Sequence, residues 1–339
     1  MTGMQTVAGA ALRNAHVSRL VALTLLLVVV FSALAPTVFP TALNFQSIAY
    51  SVPEIGLLAL AMALTMITGG IDLSVVATAN LAALTTAGLY IAAGGETATS
   101  PLLVVAFCAA ALLVGMACGA VNGLLVSRVR VSPILATLAT MQIFNGIAIL
   151  WTDGKAQYGF PDTFLWLGDA TIAYVPVVFL IFIGAALLIW HIVSRTGLGT
   201  RIVLVGANPV AARYSGVDER GVLMRTYLIS GLLAGIAGIV IAAKSTSASP
   251  DYGGSYVLLA IVIAVLGGTD PFGGRGSVAG VVLAAIALQV LASGFNIMRL
   301  SPFLYQIAQG LILLVVMVVE LRRGRLLERL RGLLSGRSG

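Results

Sequence analysis

The chain has 339 residues, of which 59% are apolar and only 9% charged, with a net charge of +7. A soluble domain carries about 25% charged residues, so this chain has too few to coat a water-facing surface of its size. Its basic residues sit at the ends of apolar runs and not on a face interleaved with aromatics, which argues against nucleic acid as a partner.

Ten apolar runs approach the roughly 20 residues that cross a bilayer: 17–36, 53–69, 71–93, 101–126, 132–151, 174–194, 222–243, 254–268, 277–297 and 303–321. The first follows Arg13, His16 and Arg19 as the apolar part of a signal peptide would. It is long and followed by many others, so it is read as a first helix that stays. Residues 40–52 are too short and polar to span and are read as a re-entrant or interfacial piece. Cys108 and Cys118 share the fourth run. Ten residues of helix hold them about 15 Å apart, beyond disulfide reach.

With ten spans and a cytoplasmic start, every basic residue of the 19 except Lys155, Lys244 and Arg299 falls on the cytoplasmic side, as the positive-inside rule demands. The fold class is therefore an all-α integral membrane protein of about ten transmembrane helices with both termini cytoplasmic. It divides into an N-terminal tail at 1–16, a single transmembrane domain at 17–321 and a basic tail at 322–339. Gly is abundant at 38 residues, which suits helices whose backbones approach closely in lipid.

The largest external connection, 152–173, carries Pro161 and several aromatics and is expected to be partly structured. The largest cytoplasmic connection, 195–225, contains a short helix with its own punctuation. Asn208 is an N-cap, Pro209 suits the first helical position and Gly216 suits the exit. Such a helix either simply crosses the loop or docks a cytoplasmic partner. Gly69-Gly70-Ile71-Asp72 and Gly267-Gly268-Thr269-Asp270 echo one another on the same side. Gly pairs let helix ends bend and approach, and repeated halves are common in transporters.

The chemistry that is missing is informative. A P-loop needs Lys after Gly and before Ser or Thr. Lys155 precedes Ala156, and Lys244 follows Ala243, so nucleotide is not held that way. Proton or cation relays need ionisable groups deep in the helices, and the runs hold almost none. Neither paired carboxylates nor a His/Cys cluster with metal spacing occurs. The interior is amide- and hydroxyl-rich instead. Asp72, Ser74, Asn80, Asn122, Thr137, Thr140, Gln142, Asn145 and Asn296 either line a path for a neutral polar solute or hold helices together.

Four segments resemble the permease subunits of ribose-type ABC sugar importers, a family that includes xylose, galactose and autoinducer-2 permeases. They are Thr68-Gly69-Gly70-Ile71-Asp72-Leu73-Ser74-Val75; Gly119-Ala120-Val121-Asn122-Gly123 continuing through Pro133 to Met141; Gly206-Ala207-Asn208-Pro209-Val210-Ala211-Ala212-Arg213-Tyr214-Ser215-Gly216; and Val265-Leu266-Gly267-Gly268-Thr269 with Gly273-Gly274-Arg275-Gly276. The chain departs from the family pattern at Val76, Ala139 and Asn145. The resemblance implies a permease fold in the bacterial inner membrane and a second permease subunit, identical or not. It also implies a periplasmic sugar-binding protein and a cytoplasmic ABC ATPase that holds ATP and Mg, with no cofactor on this chain. It makes the helix from Asn208 to Gly216 the ATPase-coupling element, with Asn208, Pro209, Ala212, Arg213, Tyr214, Ser215, Gly216, Asp218 and Glu219 as its residues. The glycines Gly69, Gly70, Gly267 and Gly268 are expected to be structural. A branched-chain amino-acid permease and an ion-coupled secondary carrier are the competing readings.

Overall fold

The computed structural model describes residues 2–301, 303–308, 310 and 311, with side chains from Val17 onward. Its helices are α1 (Thr2–Leu34), α2 (Ala42–Ile67), α3 (Val75–Ala92), α4 (Pro101–Leu124), α5 (Pro133–Thr152), α6 (Asp162–Asp169), α7 (Val177–Arg195), α8 (Gly197–Ala207), α9 (Pro209–Tyr214), α10 (Glu219–Ser245), α11 (Tyr256–Leu266) and α12 (Val278–Ile297). Among the described residues, eight are long and apolar enough to cross a membrane: α1 to α5, α7, α10 and α12.

Two expectations are corrected. Residues 40–52 are not a separate piece, because α2 starts at Ala42 and runs through Pro53. Thr41 caps its start, and Asn44 and Ser51 turn their polar groups onto nearby carbonyls, so the polar first turns stay helical although Pro53 lacks an N–H. Of the run at 254–268, only 11 residues are helical. They cover about 17 Å against a hydrocarbon core of about 30 Å. The connection at 152–173 is partly structured as expected, through α6, and the loop at 195–225 holds α8, capped by Thr196, ahead of α9. Residues 303–308, 310 and 311 of the last run are helical, while the rest of that run and the basic tail at 322–339 lie outside the described residues. Residues 2–16 continue α1 backwards as helix.

The interior is organised around α2 and α10. The second half of α2 is buried without interruption from Val52 to Ile67, and it packs on α7, α10, α11 and α12. Helix α10 makes its closest crossing with α4 through glycines. A Cβ added at Gly119 would stand 2.2 Å from the Tyr227 carbonyl oxygen, and one at Gly231 would stand 2.2 Å from that of Gly115. Gly115 and Gly119 face Gly231 and Gly235, a small-residue crossing in which backbone meets backbone. The outer faces of α1, α4, α5 and α7 carry Leu25, Val29, Leu113, Leu135, Leu150 and Leu187, all exposed, as befits surfaces that lipid or another membrane helix covers.

Candidate translocation and coupling site

The predicted polar residues separate into three groups. Asp72, Ser74, Asn122, Thr137 and Thr140 meet in one buried network on the α2–α3 turn. Asp72 Oδ1 accepts from the Ser74 backbone N–H at 3.1 Å, from Ser74 Oγ at 2.7 Å and from Asn122 Nδ2 at 3.4 Å. Its Oδ2 accepts from Ser230 Oγ at 3.1 Å. Asn122 also donates to Ser74 Oγ at 2.7 Å and accepts from Thr140 Oγ1 at 2.6 Å. Thr137 Oγ1 reaches the Ile71 carbonyl at 3.0 Å. Burial pushes the Asp72 carboxyl above the usual carboxylate range, and the hydrogen bonds from Ser74 and Ser230 pull against that shift.

Asp72, Ser74, Asn122 and Thr140 bond one another and Ser230, while the Thr137 hydroxyl bonds backbone carbonyls at Ile71 and Pro133. They tie the turn to α4, α5 and α10 and so clamp these helices together in this conformation. Asp72→Ala is expected to destabilise the fold by about 1–3 kcal/mol for each donor left without a partner. Asp72→Asn, which keeps an acceptor, should cost far less. Thermal unfolding followed by a thiol-reactive fluorophore at the buried Cys118 would measure both.

The second group is Asn80 alone, which donates to the Pro250 and Tyr252 carbonyls at 2.9 and 3.0 Å and so anchors the 246–255 loop. The third group remains open. Gln142 is exposed and Asn145 half-buried on the outer face of α5, and Asn296 is exposed near the end of α12.

Around Asn80 the structure reveals charges that sequence reasoning missed. They are Lys244, which the span count puts on the external side, and Glu54 of α2. They form an ion pair, with side chains only 6% and 12% exposed. Tyr252 and Tyr256 donate to Glu54 Oε2 at 3.1 and 3.3 Å, and the Lys244 ammonium sits 4.3 Å from the centre of the Tyr50 ring. Burial first, then the charge of Glu54, pushes the Tyr252 hydroxyl up, so it stays a donor. A separation of 190 residues leaves no local pattern that could have announced this pair.

The residues expected to couple to an ATPase form a compact corner. Asn208 Oδ1 accepts from the backbone N–H groups of Val210 and Ala211, both at 3.0 Å, and Pro209 opens α9. The exit is a left-handed turn at Gly216 (φ +78°), whose N–H bonds the Arg213 carbonyl while that of Val217 bonds Ala212. Both the cap and the exit were legible in the sequence. Ala212 is buried and seats the helix on the bundle, whereas Tyr214 is 90% exposed. Ser215 Oγ returns to the Ala211 carbonyl. Arg213 pairs with Glu219 at 3.1 Å across the corner to α10, and Asp218 precedes that helix.

Two of the four glycines expected to be structural hold equivalent positions in two turns. Gly69 (φ +78°) ends α2 and Gly268 (φ +86°) ends α11, each in the left-handed region. Gly70 N–H bonds Thr65 O as Thr269 N–H bonds Ala264 O. The sequence echo aligned Gly69 with Gly267, but the turns align Gly69 with Gly268, one residue on. Gly267 and Gly70 serve packing instead. A Cβ on Gly267 would stand 2.6 Å from Val281 Cα, and one on Gly70 would stand 2.8 Å from the Tyr227 hydroxyl.

Residues 44–317 match the family described as branched-chain amino acid transport system / permease component. Among curated proteins the chain is 35% identical over 304 residues to the ribose import permease protein RbsC of Escherichia coli, covering 87% of this chain and 91% of that one. It is 31% identical to the D-allose transport system permease protein AlsC of the same species, over 87% and 88% of the two chains. It is 34% identical to the galactofuranose transporter permease protein YtfT, also of Escherichia coli, over 79% and 77%. No solved structure matches it.

Proposed function

We propose, for a chain that belongs to the family of branched-chain amino acid transport system permease components, that it is the membrane-spanning subunit of an ATP-binding cassette importer for a sugar or a similar small polar solute. The observation that carries this reading is the α9 corner. A capped, partly exposed helix sits beside apolar membrane helices and is locked to α10 through Arg213 and Glu219. The names of the matched relatives (ribose, allose and galactofuranose permeases) favour sugar over the amino acids of the family's description.

Energy enters from a separate ATPase that holds ATP and Mg, and this chain is no enzyme. The segment around Lys244 that comes nearest a P-loop in sequence lies inside α10, where backbone N–H groups are spent on the helix and cannot cradle phosphate. A periplasmic binding protein delivers the sugar, and a second permease subunit covers part of the apolar outer surface in the bacterial inner membrane. Gln142 and Asn145, which the interior network leaves open, are the path candidates on α5. ATP-driven closure of the partner moves α9 and, through Ala212 and Glu219, the inner end of α10.

Purification from native membranes in mild detergent tests this directly. An ATPase with nucleotide motifs should accompany the chain, and labelled sugar uptake should persist under a protonophore while ATP is held constant. Uptake of leucine but not of sugars would shift the reading to amino acids, and uptake abolished by the protonophore would shift it to a secondary carrier. Arg213→Glu sets two acids against each other at the corner. Its cost in stability should be small, about 0–1 kcal/mol for an exposed pair, while ATP-driven transport should fall severalfold. Full retention of transport would remove Arg213 from the coupling path.

A further inference from the structure

Phe272 is 88% exposed, yet it sits in a turn held by several hydrogen bonds. Its N–H bonds Asp270 Oδ1 at 2.9 Å. Gly273 N–H bonds the Asp270 carbonyl at 3.0 Å, and Asp270 N–H bonds that of Arg275 at 3.0 Å. Gly273 and Gly274 take φ +93° and +79°. The turn is wedged between two parts of the site already described. Gly274 N–H bonds the Ile67 carbonyl at 2.8 Å, at the end of α2. A Cβ on Gly273 would stand 2.7 Å from the Gly206 oxygen and 2.8 Å from the Gly69 nitrogen, and one on Gly274 would stand 2.8 Å from Ala207 Cα.

A large apolar side chain held out by a rigid turn has already lost the backbone freedom that binding would otherwise remove. Aromatic anchors of this kind dominate interface energetics. Phe272 also lines a groove of about 710 Å³ with Pro209 and Arg213 of the α9 corner, and Arg130 and Arg220 stand in the same groove.

We propose that the turn at 270–276 is a second docking point for the ATPase subunit, with Phe272 seated in an apolar, acid-rimmed pocket of that subunit. The inference rests on the importer reading and extends it. A partner already on α9 meets Phe272 in the same groove. Asp218 and Glu219 line it too, but Glu219 is paired with Arg213, so Arg130 and Arg220 outweigh Asp218 and, with exposed Arg275 on the turn, call for acidic groups around the pocket. Because the turn is bonded to Ile67 and packed on Gly69, force on Phe272 reaches the end of α2 and the Asp72 network directly. Force on α9 reaches α10. The ATPase would thus hold both central helices, not one.

The test places a photo-crosslinking benzoylphenylalanine at 272, at 214 on α9 and at 174, an exposed tyrosine position between α6 and α7. Each is irradiated in membranes containing the intact complex, and adducts are identified by mass. Adducts with the ATPase are expected from 272 and 214 and not from 174. An ATPase adduct from 214, with only lipid, a second copy of this chain or nothing from 272, overturns this inference and leaves the α9 reading standing. An absence of ATPase adducts at both overturns the two together. Phe272→Asp should lower ATPase retention during purification about tenfold or more, the scale of losing an interface anchor, while Phe272→Leu should retain most of it. Equal retention by both variants would also sink the proposal.

Discussion

Glu54→Leu is expected to destabilise the protein by about 3–5 kcal/mol, the cost of breaking a buried ion pair by removing one partner. Lys244 is left with the face of the Tyr50 ring and no carboxylate. Lys244→Met should cost less, because Glu54 keeps the hydroxyl donors of Tyr252 and Tyr256. The double variant should recover most of the loss, since replacing both charges by apolar groups removes the burial penalty together with the attraction. Thermal unfolding of the four proteins forms a double-mutant cycle. A double variant as unstable as the sum of the singles would mean that the two charges do not act as a pair.

Gly231→Leu should prevent folding, and Gly119→Leu should do the same. At both positions the added Cβ alone meets a carbonyl oxygen 2.2 Å away, and backbone in the middle of two packed helices cannot swing aside as a side chain can. Even Gly231→Ala is expected to cost at least about 1–3 kcal/mol, the usual scale of overpacking. Gly146 is the control. It lies on the open face of α5 with nothing within 4 Å of a built Cβ, so Gly146→Ala should be neutral or slightly stabilising through reduced backbone entropy. Yield of monodisperse protein and release of Cys118 to a thiol-reactive dye would measure each. A stable Gly231→Leu protein would mean that α4 and α10 do not cross here.

Both results bear on how function is built. The Glu54–Lys244 pair and Asn80 fasten the 246–255 loop to α2, α3 and α10 at one end. The Asp72 network fastens the α2–α3 turn to α4, α5 and α10 at the other. Between them the glycine crossing sets the distance between α4 and α10. Reorientation of the bundle must therefore either move these helices as one body or exchange hydrogen bonds in one of the two polar clusters.

The sequence by itself determined whatever depends on composition or on neighbours along the chain. Continuous apolar runs near 20 residues dictate membrane helices, because a helix satisfies its own backbone in lipid whereas barrel strands are shorter and alternate apolar with polar residues. Asn208, Pro209 and Gly216 mark α9 because capping is decided within a few residues. Only the tertiary structure decided which polar residues meet. Asp72, Asn122, Thr140 and Ser230 come from four separate parts of the chain, and whether an amide lines a path or clamps two helices depends on what stands across from it. The same holds for Glu54 and Lys244, and for the one-residue offset between the two glycine turns. A buried polar group must find a partner, but its own sequence neighbourhood does not say which one.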